Sequence, residues 1–276
     1  MATETLQMRE PICRLPVFRP VVVRLMSVLE GDDVDITEIA KLIQSDPGLA
    51  AEVLIVANSP LFGFTSEIRD LRHAVSVLGC ERVRSLAMTV ALRAYLNVSG
   101  RTKATKACWS HSIACAVIAE QIGSSRIVRN EALYAGGLMH DIGRVGLISA
   151  YDQQYSALFA SGYRPSAEVR EAEARAFSVD HCTAGLWLTK AWGFPQEFLD
   201  LSSRHHDVPL NCNDDVSIVA LSCVLADSLG FEAVKYEEVP MAEEVIRRLP
   251  EAVQKRLPLD FTELQARIAD TLGSLG

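Results

Sequence analysis

The residues in this chain best suited to chemistry are His111, the pair His140-Asp141, His181, the pair His205-His206, and Asp227. Each lies in or beside a segment that is otherwise largely apolar. Ala132 to Ser149, ALYAGGLMHDIGRVGLIS, holds only His140, Asp141 and Arg144 as side chains with charge or ligand capacity. Val216 to Gly230, VSIVALSCVLADSLG, holds one charge, Asp227. His111 sits within CWSHSIACAVIAEQIG, His181 opens HCTAGLWLTKAWG, and His205-His206 end PQEFLDLSSRHH. A helix that is apolar nearly all round is buried, and a buried carboxylate is costly unless a cation or metal answers it. Imidazole and carboxylate together suit a divalent ion such as Mn, Fe, Ni or Zn. One or two such ions would be served by this many ligands. A metal-free remnant held by internal hydrogen bonds fits the same residues. The adjacency of His140 and Asp141 is peculiar, because neighbours on a regular helix diverge by about 100°.

Several helices must converge for these residues to meet, as they can in a helical bundle. Apolar spacing predicts a helix over 35–44, with Ile36, Ile39, Ala40, Leu42 and Ile43 on one face. Asp46-Pro47 reads as a cap followed by a first-turn proline, opening a helix that stops before Pro60. Asp70 caps a short helix through Leu78 that ends at Gly79, and 80–96 forms another. The basic stretch RTKATKA after Gly100 reads as a lead-in and boundary. Helices are then predicted near 107–122, 130–149, 166–191 (broken), 195–206, 214–229, 239–256 and 260–273. The glycines at 136, 137, 143 and 146 permit close helix approach or local distortion around His140-Asp141. No segment alternates with a strand period, so the expected class is all-α. The expected layout is a flexible terminus (1–13), an N-terminal helical half (14–104), a site-bearing half (105–230) and C-terminal helices (231–276). Leu249, Val253, Leu257, Phe261, Leu264, Ile268 and Leu272 make an apolar stripe in the last part, suited to covering the core or to a homodimer face.

Composition narrows the class. Apolar residues are 49% and charged residues 22% of 276, which is ordinary for a folded protein. The net charge of -8 opposes a phosphate-backbone partner, and no basic recognition helix is visible, so nucleic acid is not an expected ligand. Arg69, Arg72, Arg82, Arg84, Arg93, Arg101, Lys103 and Lys106 form a local basic region that reads as solvated helix faces or a docking surface for an anion. Seven cysteines with no CxxC pair read as free thiols in a reducing compartment. No signal peptide or membrane span is seen, and a cytoplasmic location is expected.

The order His111, His140-Asp141, His181, His205 or His206, Asp227 resembles the HD-domain phosphohydrolases over about residues 105–230. HDIGR is similar to the HDIGK of the cyclic-di-GMP phosphodiesterase branch, with Arg144 in place of Lys. Two departures oppose membership of that branch. HHDVPLNCND lacks its GYP signature, and Ala107 stands where its three-metal members place a Glu. The N-terminal half, with its initial Leu15-Pro16, the step Leu42, Ile43, Asp46, Pro47, Leu49, the Ala57-Asn58-Ser59 ending and Ala74…Leu78-Gly79, resembles HDOD domains over about 14–210.

That resemblance implies a bacterial output module for signal transduction, acting through a signalling protein or a nucleotide second messenger. It also implies a metal layout. His111, His140, Asp141 and Asp227 would hold one ion, while Asp141, His181 and His205 or His206 would reach a second. The alternative it implies is a metal-dependent phosphohydrolase or phosphodiesterase acting on a nucleotide or cyclic dinucleotide. Asp141 and Arg144 would then be the catalytic residues, with Arg144 neutralising phosphate charge.

Overall fold

Aspartates placed at helix starts set the register of much of the chain. The computed structural model describes residues 11–12, 15–28, 35–59, 63, 67–98, 102–125, 133–160, 166–209, 214–255, 257 and 260–275. The carboxylates of Asp35, Asp46, Asp70, Asp180 and Asp214 each accept a backbone N–H two or three residues on. Such a cap satisfies an orphan donor and places negative charge at the positive helix end, for about 1 kcal/mol each.

The first half consists of α1 (Pro20–Val28), α2 (Ile36–Gln44), α3 (Pro47–Ala57), α4 (Leu71–Leu78) and α5 (Cys80–Val98). Asp46 also receives Arg19 at 3.2 Å, which fastens the start of α3 to the approach to α1. Asn58 ends α3 and pairs through its amide with both backbone groups of Ile68, at 2.8 Å each. It therefore fixes the entry to α4. Gly79 turns the chain at φ 84 between α4 and α5.

The second half runs through α6 (Lys103–Ser124), α7 (Leu133–Met139), α8 (Ile142–Ala160), α9 (Ser166–Phe177), α10 (His181–Trp192), α11 (Gln196–Arg204) and α12 (Asp215–Ser228). The most extensive packing is α6 on α7, α8 on α10, and α6 on α12. Helix α5 packs on α6 and α7, joining the halves. One hydrophobic core extends from Ile12 through Ile118 and Leu225 to Ile268. The chain closes with α13 (Ala242–Ile246), α14 (Glu251–Gln254) and α15 (Phe261–Leu275). Helix α15 lies on α6, and Leu249, Val253, Leu257, Leu264 and Ile268 are buried in the main core.

The architecture is all-α, with no strand among the described residues. No helix among them is long and apolar enough to cross a membrane. Three expectations need correction. The stretch RTKATKA is not a separate lead-in, because Thr102 accepts the Thr105 N–H and α6 begins at Lys103. The helix expected over 130–149 is two helices, α7 and α8, which meet at His140-Asp141. The expected helix at 239–256 is likewise α13 and α14, separated at Pro250. Of the basic region, Arg84 is buried against Glu81 and Arg93 pairs with Glu52, while Arg101 lies outside the described residues. Residues 1–10, Cys13 and Cys212 also lie outside them. Cys80, Cys108, Cys115, Cys182 and Cys223 form no disulfide.

Candidate metal centre

The break between α7 and α8 resolves the peculiarity of the adjacent pair. His140 ends α7, its N–H reaching the Gly136 carbonyl at 3.0 Å, and the Asp141 carbonyl opens α8 by accepting the Arg144 N–H at 2.9 Å. The two side chains leave a turn rather than a continuous helix, so the angular spacing of a regular helix does not separate them. Two glycines bring the neighbouring helices close enough. A Cβ on Gly137 would lie 2.8 Å from the Ala116 backbone in α6. A Cβ on Gly143 would lie 1.8 Å from the His181 carbonyl oxygen at the start of α10. Helices α7 and α8 are thus pressed against the elements carrying His111 and His181.

Four imidazoles are held in the same tautomer. Nδ1 of His111 donates to the Phe231 carbonyl at 2.8 Å, that of His140 to the Gly137 carbonyl at 2.7 Å, and that of His205 to the Leu201 carbonyl at 3.0 Å. Nδ1 of His181 donates to Glu173 Oε2 at 2.5 Å. A carbonyl or carboxylate oxygen can only accept, so each ring carries a proton on Nδ1 facing outward and turns its Nε2 inward. Burial opposes protonation of His111 and His181, but Cys223 and Asp227 hold His111 well above the usual imidazole range and Glu173 raises His181 to about 10. This is the outer hydrogen-bonding pattern of metal-ligating histidine. Among the described residues, His140 Nε2, Asp141 Oδ1 and His205 Nε2 are buried atoms without hydrogen-bond partners, and Asp227 Oδ1 is buried beside His111. Asp141 Oδ1 lies 3.6 Å from His181 Nε2 and 3.7 Å from His205 Nε2.

The ligand atoms of His140, Asp141 and His205 lie within 4.8 Å of one another. An ion with bonds of about 2.1 Å can draw such a set together. The residues therefore fit a divalent cation. Burial pulls His140 down to about 4 and holds His205 well below the usual imidazole range, so both stay unprotonated at neutral pH as ligands must. Burial opposes ionisation of Asp141, yet Arg144 and the surrounding imidazoles keep its carboxyl well below the usual range. Asp227, at the edge, is pushed up by burial and lies 3.3 Å from His111 Nδ1.

Every expected site residue is near this centre, in different roles. His111, His140, Asp141, His181 and His205 are buried. His206 is exposed at the rim, its ring 4.3 Å from that of His205, so His205 is the inward member of the pair. Arg144 does not face a substrate space. It is 2% exposed, and its guanidinium donates to Asp141 at 2.7 Å, Tyr155 at 3.0 Å, Glu173 at 3.3 Å and His181 Nε2 at 3.3 Å. Its charge is consumed by two buried carboxylates rather than left for a phosphate.

The sequence reasoning missed Glu173, Tyr155 and Cys223. Glu173 sits in the charged-looking SAEVREAEARAF, yet it falls on the buried stripe Val169, Ala172, Glu173, Phe177. A carboxylate on an apolar stripe was the available signal. Cys223, one turn before Asp227, has Sγ 3.4 Å from His111 Nε2.

An HDOD domain model matches residues 15–208. The chain belongs to the HDOD family. An HDOD domain protein with unknown function from Geobacter sulfurreducens is 25% identical, and the match covers 98% of this chain and 96% of that one with a TM-score of 0.72. A candidate phosphohydrolase from Shewanella amazonensis SB2B shares the fold at 17% identity, with coverages of 97% and 95% and a TM-score of 0.65. An uncharacterized protein of Treponema pallidum (strain Nichols) is 24% identical over 223 residues, 78% of this chain. The HDOD chain spans 42% of that relative's length.

Proposed function

We propose that this HDOD protein is a signalling module whose second half holds a divalent cation, and whose output is the binding of a nucleotide ligand or a partner protein. The metal part of the reading rests on the buried atoms His140 Nε2, Asp141 Oδ1 and His205 Nε2, which have no hydrogen-bond partner among the described residues and lie within 4.8 Å of one another, brought together from the α7–α8 turn and the end of α11. The regulatory part rests on Arg144, whose donors are spent on the protein's own groups. A divalent ion bound there would supply Lewis-acid polarisation and activation of water. The chain's own groups fix the histidine tautomers through Gly137, Leu201, Phe231 and Glu173, and keep Asp141 ionised through Arg144.

The test is the metal content of protein purified without added metal or chelator, beside the His140→Ala/Asp141→Ala double mutant. At least one first-row ion per folded chain, lost in the mutant, is the expected result. A folded wild type that stays empty on reconstitution overturns the metal reading. A second reading, metal-dependent phosphohydrolysis of a nucleotide or cyclic dinucleotide, is favoured by the partial exposure of Asp227, whose side chain is 11% accessible while that of its partner His111 is 2% accessible. Turnover of a phosphodiester panel by the loaded protein, abolished by His140→Ala, would establish it over the regulatory reading.

A further inference from the structure

The centre has a face that its His/Asp pattern does not describe. Cys223 projects from α12 one turn before Asp227, so both lie on the side of that helix facing α6. Its Sγ lies 3.4 Å from His111 Nε2. The ligand atoms of His111, His140 and Cys223 lie within 4.8 Å of one another, and all three side chains are buried. His111 Nδ1 donates to the Phe231 carbonyl beside Asp227, so Nε2 is the ring atom that faces the sulfur. His140 Nε2 has no hydrogen-bond partner among the described residues. A buried cysteine is most often a small apolar filler. Here it stands between two imidazoles whose Nε2 atoms no other protein donor satisfies as well.

We propose that Cys223 is a metal ligand, giving the centre a thiolate alongside His111 Nε2 and His140 Nε2, with Asp141 Oδ1 or His205 Nε2 as the next donor. This rests on the metal reading above and specifies the class of ion. A thiolate with imidazoles selects zinc, iron(II) or cobalt(II) over magnesium or calcium, which favour all-oxygen sites. On loading, the sulfur–metal bond forms as the S–H bond breaks, and the thiol proton leaves to solvent. One proton is therefore released per ion bound through Cys223.

Cobalt(II) is the direct probe, because a thiolate ligand gives a sulfur-to-cobalt charge-transfer band in the near ultraviolet that nitrogen and oxygen ligands do not. The full-length protein is stripped, titrated with cobalt(II) under reducing conditions, and followed by absorption and by metal analysis. The expected result is saturable cobalt binding with that band. Cys223→Ser abolishes the band and weakens binding by more than the ~10–100-fold typical of losing an outer-shell partner. Cys223→Asp, which restores an anionic ligand, recovers binding without the band. Cys182→Ser retains the band, although Cys182 belongs to a separate cluster with His181, His205 and His206. Cobalt bound to wild type without the band overturns the assignment of Cys223 and leaves the metal reading intact. So does a band that survives Cys223→Ser and disappears with Cys182→Ser. A folded wild type that binds no cobalt overturns both. If a Cys223 variant fails to fold, Cys182→Ser decides the question, because a band retained there supports Cys223 and a band lost there overturns its assignment.

Discussion

Replacing Arg144 by Met should unbalance the interior of the metal-free protein more than any other single change near the site. The guanidinium is 2% exposed and lies 2.7 Å from Asp141 and 3.3 Å from Glu173, carboxylates that are 1% and 0% exposed. Methionine roughly keeps the apolar stem but removes the guanidinium that reaches both carboxylates, leaving His181 as the remaining basic group between them. Breaking a buried pair by removing one partner costs about 3–5 kcal/mol, because the remaining charge has no compensation. For a chain of this size that corresponds to a fall in Tm of roughly 6–20 °C. The assay is thermal and urea unfolding of chelator-treated wild type and Arg144→Met. The sign with pH is fixed as well. In the wild type Asp141 and Glu173 titrate below their ordinary values, so their contribution is present above the unfolded carboxylate range and lost as pH falls. Without Arg144 these groups take up protons more readily in the folded state. The wild-type advantage is therefore widest at neutral pH and narrows toward pH ~4. A loss below about 1 kcal/mol at pH 7, in the range of a surface salt bridge, would refute the view that Arg144 is the charge balancing this interior.

Further outcomes follow from particular contacts. Gly143→Ala places a Cβ 1.8 Å from the His181 carbonyl oxygen and should destabilise by at least the ~1–3 kcal/mol of core overpacking, read by urea unfolding. Unchanged stability would mean α8 and α10 are not so closely packed. Glu173→Gln removes the carboxylate that orients His181 and should lower metal affinity ~10–100-fold with the fold retained, measured by competition with a chromophoric chelator. His140 is held neutral in the fold, at about 4, below its unfolded value. Unfolding therefore takes up a proton between pH ~6.5 and ~4, so apoprotein stability falls as pH drops through that window, less steeply in His140→Gln. Equal slopes in the two proteins would contradict this. Asp46→Ala removes both the α3 cap and the Arg19 partner and should cost about 1–2 kcal/mol, measured by denaturant midpoint.

The helical class was legible because caps and breakers act locally. Asp46 and Asp70 announce their helices, and the structure places helix starts at Pro47 and Leu71. The polar residues of the centre were legible because His111, His140 and Asp141 interrupt apolar helices. What could not be read is what depends on three-dimensional aim. No local signal separates His205 from His206, since a turn decides which ring faces inward. Arg144 looked like a free cation because its four acceptors come from three other places in the chain. Glu173 looked exposed because charged neighbours masked the stripe on which it sits. The break at His140-Asp141 went unread as well, because two short helices joined at a buried turn keep the apolar composition of one long helix.

The most direct test of the central claim is anomalous diffraction from crystals of the zinc- or cobalt-loaded protein, collected on both sides of the metal absorption edge. The account predicts a peak within bonding distance of His140 Nε2 and Asp141 Oδ1, ringed by His111, His205 and Cys223, with the Arg144 guanidinium still on Asp141 Oδ2. A loaded crystal with no peak there, or with its only peak beside His206 at the rim, would contradict it.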